Sequence, residues 1–271
     1  MDLGVIMFNG YALPPADLAR AVEERGFESL FFPEHTHVPV RSSHPDGRDM
    51  RRYSRAFDPF VSLGAAAAVT TRIKLGTAVC LVAQRDPIIT AKEVATVDHL
   101  SGGRMLFGVG AGWNREEMAN HGTDPRTRMV LLAERIKAMK AIWTEEEAEF
   151  HGKLVDFDPI WLWPKPVRRP HPPVLVGGSG PTTEDRVLDF GDEWFPQLES
   201  YPSIEELGAR IAALRERAGR RVPVTLFEVP PDRDTIDRLE AVGVDRCLLG
   251  LRAENAADGL SNLDVLAGVL R

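Results

Sequence analysis

Cysteine is nearly absent. Only Cys80 and Cys247 occur among 271 residues, which excludes a disulfide framework. Both lie in apolar, strand-like runs and read as buried, reduced thiols of a cytoplasmic protein. Long hydrophobic runs are also missing. The longest, around Leu63 to Val69, is far short of the roughly 18 residues that suggest a membrane span, so no membrane partner is expected. Met1-Asp2-Leu3-Gly4 offers no basic region ahead of an apolar stretch, so no secretory signal is expected. Positive charge is in deficit, with 33 Lys and Arg against 40 Asp and Glu and a net charge of −7. Arg48, Arg51, Arg52 and Arg55 form the one basic cluster, too little for a nucleic-acid binder. His35 and His37 have no further ligands at a recognised spacing, neither H-E-x-x-H nor a Cys cluster, so no metal is expected. The absence of G-x-S-x-G argues against a serine hydrolase.

What is present is a rhythm of short apolar strands and longer amphipathic stretches. Strands are predicted at Leu3 to Phe8, Ser29 to Phe32, Ile73 to Leu81, Arg104 to Val109, Pro173 to Val176, Glu193 to Phe195, Val222 to Val229 and Cys247 to Leu251. Helices are predicted between them, at Pro14 to Arg25, Phe57 to Val69, Pro87 to Leu100, Arg126 to Trp143, Thr182 to Phe190, Ser203 to Ala218, Asp232 to Val242 and Ala256 to Leu270. Residues 145–172 break the rhythm. They are acidic, then rich in Pro, Trp and Arg, and read as an excursion. Roughly eight strand-helix units imply a parallel sheet. Within this length they favour a single (β/α)8 TIM barrel, an α/β fold spanning residues 1–271, over a doubly wound sheet.

In such a barrel the chemistry sits in the loops after each strand. Glu34 and His35 follow the second strand and can serve as proton donor or base, or as a hydrogen-bonded structural pair. Gly108-Val109-Gly110-Ala111-Gly112 ends the fourth strand. Its alternate glycines suit close approach of a flat ring, or dense barrel packing; the G-x-G-x-x-G dinucleotide spacing is absent. Gly178-Ser179-Gly180, with Thr182 and Thr183, lies between a strand and a helix start. Its backbone N–H groups and hydroxyls can converge on an anion, phosphate being the natural candidate, or the glycines can simply form a tight turn. Trp161 and Trp163, in the excursion, read as a packed flap or a substrate clamp. The substrate pocket is expected to involve Tyr11, the loop from His35 to Tyr53, Trp113 and the excursion.

Several stretches carry a resemblance: Leu75-Gly76-Thr77-Ala78-Val79, Arg85-Asp86-Pro87, Ala95-Thr96-Val97-Asp98, and Leu100 to Arg104 running into Gly108 to Trp113. It recurs at Phe150-His151-Gly152, Pro164-Lys165-Pro166 and Gly191-Asp192-Glu193-Trp194. The sequence resembles the bacterial luciferase-like monooxygenases, and among them the coenzyme F420-dependent oxidoreductases. The resemblance implies a barrel with a flavin or deazaflavin across its C-terminal mouth and the phosphate near Gly178, Ser179, Gly180, Thr182 and Thr183. It implies a non-proline cis peptide at Ala78–Val79 under the ring, with Leu81, Ala111 and Gly112 lining it. Glu34-His35 match an Asp-His pair of related F420 enzymes, with Glu in place of Asp. Trp113 stands where sugar-phosphate dehydrogenases of the family carry Glu, which argues against that substrate. A homodimer is implied, and the chain is short after about residue 200.

The expected function is hydride transfer between F420 and a small organic substrate, with His35 as proton donor or charge stabiliser. The alternatives are an FMN-dependent monooxygenase using O2 and a reductase partner, a non-catalytic flavin- or deazaflavin-binding protein, and, outside the family, a barrel lyase acting on a phosphorylated metabolite.

Overall fold

Strands buried on both faces read as unbroken apolar runs, because alternate side chains enter different layers. The computed structural model, which describes residues 1–8, 11–44 and 46–270, uses both faces in this way. In chain order the main elements are β1 (Asp2–Met7), α1 (Pro15–Glu24), β2 (Ser29–Phe32), α2 (Pro59–Ala67), β3 (Lys74–Thr77), α3 (Pro87–Ser101), β4 (Met105–Gly110) and α4 (Arg128–Thr144). They continue as β5 (Val174–Gly177), α5 (Thr183–Phe190), β6 (Glu193–Phe195), α6 (Ile204–Ala218), β7 (Thr225–Val229), α7 (Arg233–Ala241), β8 (Arg246–Leu251) and α8 (Ala256–Ala267). Strand order is β7-β8-β1-β2-β3-β4-β5-β6, all parallel. Two parallel bridges, Trp194–Val224 and Gln197–Phe227, bring β6 to β7 and nearly close the barrel.

Ile6, Phe31, Leu106, Leu175, Phe195 and Leu248 fill the barrel interior. Their strand neighbours, including Val5, Leu30, Phe107 and Val176, pack outward with the helices. Both cysteines are free and buried, and burial pushes the Cys247 thiol up to about 12. At the N-terminal ends of the strands, Arg246 holds Glu28 with two bonds of 2.8 and 2.9 Å and reaches Glu193 at 3.4 Å. This buried ionic cluster closes the face of a barrel usually concerned with stability.

Two details depart from expectation. The third strand stops at Thr77, and Cys80–Leu81 resumes the pairing beside Val109 and Gly110. The Ala78–Val79 bond between them is cis, as the resemblance implied. The excursion is not irregular throughout: Ala148–His151 and Asp156–Ile160 form an antiparallel hairpin.

The excursion lines no part of the cavity at the C-terminal mouth, although its hairpin climbs the outer side of α4, where the Lys153, Leu154 and Val155 amides donate to Glu134. It joins the end of α4 to the start of β5, and such αβ connections lie at the opposite face of a β/α barrel. Lys165, only 6% exposed, donates to the carbonyls of Ile142 and Glu145 at 2.7 and 2.5 Å, at the carbonyl-rich end of α4. Asp98 of α3 accepts from the Arg168 amide at 2.9 Å. Trp161 and Trp163 stand exposed on the outside, so the excursion supplies neither flap nor clamp to the mouth. The (β/α)8 barrel with an excursion is as the sequence led us to expect; the excursion's proximity to the substrate pocket is corrected.

Candidate functional site

At the C-terminal mouth lies a cavity of about 490 Å³. Its floor is made by Ala78, Val79, Leu81, Gly110, Ala111 and Gly112. The two readings of the glycine run divide by position. A Cβ on Gly108 would stand 2.0 Å from the Thr77 carbonyl oxygen, so this glycine serves packing. One on Gly110 would stand 2.6 Å from Val79, at the floor itself. Behind Gly112, both polar atoms of the Gln84 amide are buried without a hydrogen-bond partner among the described residues.

Glu34 and His35, though adjacent, face different tasks. Glu34 accepts from the Leu81 amide and from Arg85 Nε, both at 2.6 Å. Arg85 is tied in turn to Glu93 at 2.6 Å and Asp58 at 3.1 Å. Both Glu34 oxygens are thus engaged, bracing the strand segment that follows the cis bond. His35 Nδ1 lies 2.8 Å from Oε2 of Glu117, whose side chain is fully buried. The other Glu117 oxygen accepts from the Thr36 amide at 3.1 Å. A carboxylate acceptor places the Nδ1 proton between the two groups and leaves His35 Nε2 for the cavity. Glu117 sits on a short helix, Arg115–Asn120, whose N-cap is Asn114; the Asn114 side chain accepts from the Glu117 amide. Sequence reading missed Glu117, because a residue in Arg-Glu-Glu-Met looks solvent-facing until this loop meets the one after β2.

The wall beside His35 is aromatic. The Trp113 ring centre lies 5.6 Å from that of His35, 4.8 Å from that of His44 and 5.5 Å from that of Tyr53. Burial pushes His44 below its ordinary 6.5 even though Asp46 opposes this, and the charges of Arg48 and Arg52 act in the same direction as burial. Tyr11 lies elsewhere: it is exposed and packs edge-on against Phe57 at 4.8 Å.

At the other end, Gly177, Gly178, Gly180, Thr183 and Arg186 line the cavity. Gly178 has φ +125°, a conformation that favours glycine. Its amide is taken by the Phe195 carbonyl and that of Thr183 by the Gly180 carbonyl. Ser179 Oγ accepts from the Gln197 amide at 3.1 Å. Thr182 and Thr183 hydroxyls accept from Arg186 at 2.8 and 3.0 Å. The Gly178 and Thr183 amides are thus already engaged, Ser179 and Thr182 lie outside the cavity lining, and the charged group at this end is Arg186, a guanidinium that sequence reading missed in the acidic run Glu184-Asp185-Arg186. Arg186 Nε is buried without a partner among the described residues.

A floor of glycines and small or apolar side chains, with a guanidinium and the Thr183 hydroxyl at one end, fits a flat heterocycle bearing a phosphate. Among the described residues no helix is long and apolar enough to cross a membrane.

A family profile described as luciferase-like monooxygenase matches residues 15–250. An uncharacterized protein of Mycobacterium tuberculosis is 41% identical over 280 aligned positions, covering 100% of this chain and 99% of that one. An FMNH2-dependent dimethylsulfone monooxygenase of Pseudomonas putida is 32% identical over 186 positions, covering 66% of this chain and 50% of that one. Among solved structures, an F420-dependent secondary alcohol dehydrogenase superposes with a TM-score of 0.77 at 19% identity, covering 99% of this chain and 97% of that one.

Proposed function

Since the chain belongs to the luciferase-like monooxygenase family, we propose that it is an F420-dependent oxidoreductase acting on a small organic substrate. The observation that carries this reading is the His35–Glu117 pair beside a glycine-lined floor. The deazaflavin, when bound, supplies or accepts a hydride. That chemistry needs one proton moved at the substrate oxygen, and His35 Nε2 is the group that moves it. Glu117 fixes the ring's tautomer and orientation and offsets the charge when His35 is protonated. Glu34 is a brace rather than a proton carrier, because both its oxygens are already bonded. Ala78, Val79, Leu81, Ala111 and Gly112 would carry the ring, and Gly178, Gly180, Thr183 and Arg186 its phosphate, with Thr182 outside the lining bracing Arg186 and Ser179 bracing Gln197. Trp113 closes the substrate side and keeps water from it. Tyr11 is given no role, since it lies outside the cavity lining. A cytoplasmic homodimer belongs to this reading on family resemblance alone.

A second reading has a specific support. The relative named as a dimethylsulfone monooxygenase uses FMNH2, and the same cavity would then take FMN reduced by a partner reductase, with O2 as co-substrate. Absorbance titration of the purified chain with F420 and with FMN separates the two. Reduced F420 with a panel of carbonyl acceptors tests turnover, which His35→Ala should lower by about 10² to 10³. Binding without turnover across the panel would leave a cofactor-binding protein.

A further inference from the structure

The cavity does not end at the ring floor. Arg48, Arg52, Gln197, Glu199, Phe227 and Glu228 also line a second, adjoining outer chamber of about 570 Å³. Arg252 completes the charged lining of that chamber. Its wall is shaped by an irregularity: β7 shifts register against β8 between Leu226 and Val229. There Glu228 has φ +53°, the one non-glycine in that region among the described residues.

The charges of the outer chamber are unevenly matched. Arg48 donates to both oxygens of Glu199 at 3.2 Å. Arg252 donates to Glu228 at 2.7 Å. Both carboxylates are thereby engaged. Arg52 faces both chambers and is half-buried. Among the described residues it makes no ion pair, and its guanidinium carbon lies 5.3 Å from the centre of the Tyr53 ring. A planar guanidinium lying beside an aromatic surface and carrying unused donors suits a carboxylate, which it can grip bidentately. On a chain of net charge −7, the long-range field offers an anion nothing, so such a grip must be local.

We propose that Arg52 determines substrate specificity and that the substrate is a carboxylate on an apolar or aromatic body. The carboxylate meets Arg52 in the outer chamber, and the body lies along the Trp113–Tyr53–His44 wall toward His35. This rests on the reading of the inner cavity as the cofactor site, where Arg186 and Thr183 form a separate anion-binding pole on α5.

The test is calorimetric and needs no turnover. 3-Phenylpropionate and its uncharged isostere 3-phenylpropanamide are titrated into the wild-type chain, Arg52→Gln and Arg186→Gln, with folding checked by circular dichroism. The wild type should bind the carboxylate about tenfold or more tightly than the amide. Arg52→Gln should remove that preference and leave amide binding unchanged, while Arg186→Gln should retain it. Equal affinity for the two probes, binding of neither, or loss of the preference in Arg186→Gln instead of Arg52→Gln overturns the proposal. F420 and FMN titrations of the wild type and of Arg52→Gln, expected to agree with each other, keep the two questions apart. Failure to bind either cofactor counts against the proposed function, whatever the carboxylate result.

Discussion

Replacing Glu117 by glutamine changes one oxygen to an amide nitrogen at nearly constant volume, in a place with no solvent to compensate. The native carboxylate accepts from His35 Nδ1 at 2.8 Å and from the Thr36 amide at 3.1 Å. The glutamine oxygen can keep only one of these. If it keeps Thr36, its NH2 faces His35 and forces Nδ1 to become the acceptor, which moves the ring proton to Nε2. A hydrogen bond to a charged group contributes about 1.5–3 kcal/mol and a neutral one about 1, so the substitution should cost about 1–2 kcal/mol. For a chain of this size, that lowers Tm by about 2–4 °C per kcal/mol. The catalytic cost should be larger than the stability cost, because Nε2 of the neutral ring then already carries the proton and cannot accept one, and the imidazolium loses its carboxylate partner: about tenfold to a hundredfold in kcat, with KM little changed. The ring ¹⁵N shifts of His35 report the tautomer directly, and thermal unfolding gives the stability. Glu117→Gln with native His35 shifts and undiminished turnover would refute both the pair and the proton route drawn through it.

Other consequences are equally specific. Burial alone would raise the Glu28 carboxyl, but Arg246 and then Lys74 outweigh it and hold it at about 2 against an ordinary 4.5. A carboxyl lowered in the folded state stabilises above its unfolded pKa, so about 3 kcal/mol is present at neutral pH and lost as pH falls from about 4.5 toward 2. Asp2 and Glu193, raised mainly by burial, act in the opposite sense and make the observed slope shallower. Urea unfolding between these pH values should show the loss, and Glu28→Gln should flatten it. Arg186→Gln should weaken F420 or FMN binding by about tenfold to a hundredfold without unfolding the chain, as measured by absorbance titration. Lys165→Ala should cost about 2 kcal/mol by freeing two carbonyls of the α4 end, yet leave kcat unchanged, because Lys165 anchors at the C-terminal end of α4, away from the cavity. A change in kcat there would contradict the placement of the excursion.

The sequence made the barrel legible because its strands bury both faces. Runs such as Leu3 to Phe8 stay apolar at successive positions, and a helix begins after each. Helix starts were legible where chemistry marks them, as at Asp86-Pro87, where the Asp86 side chain caps two amides at 2.9 Å. Glu34 and His35 were visible as candidates, but not their separate fates, which depend on Leu81 and Arg85 on one side and Glu117 on the other. Arg52 stood out only as part of a basic cluster; its place between two chambers comes from a loop whose path no local pattern encodes. The excursion's two tryptophans suggested a packed flap or a substrate clamp because aromatic residues mark flaps, clamps and outer surfaces alike. Only the fold, which leaves both exposed and outside the cavity lining, tells these apart.

In the function proposed above, a deazaflavin lies on the Gly110–Gly112 floor with its phosphate at Thr183 and Arg186. The most direct measurement is the visible spectrum of the purified chain titrated with F420 and, separately, with FMN. F420 should give a saturable change at micromolar concentrations, weakened in Arg186→Gln, and FMN should bind more weakly. Saturation by FMN with no response to F420 would contradict the proposed function.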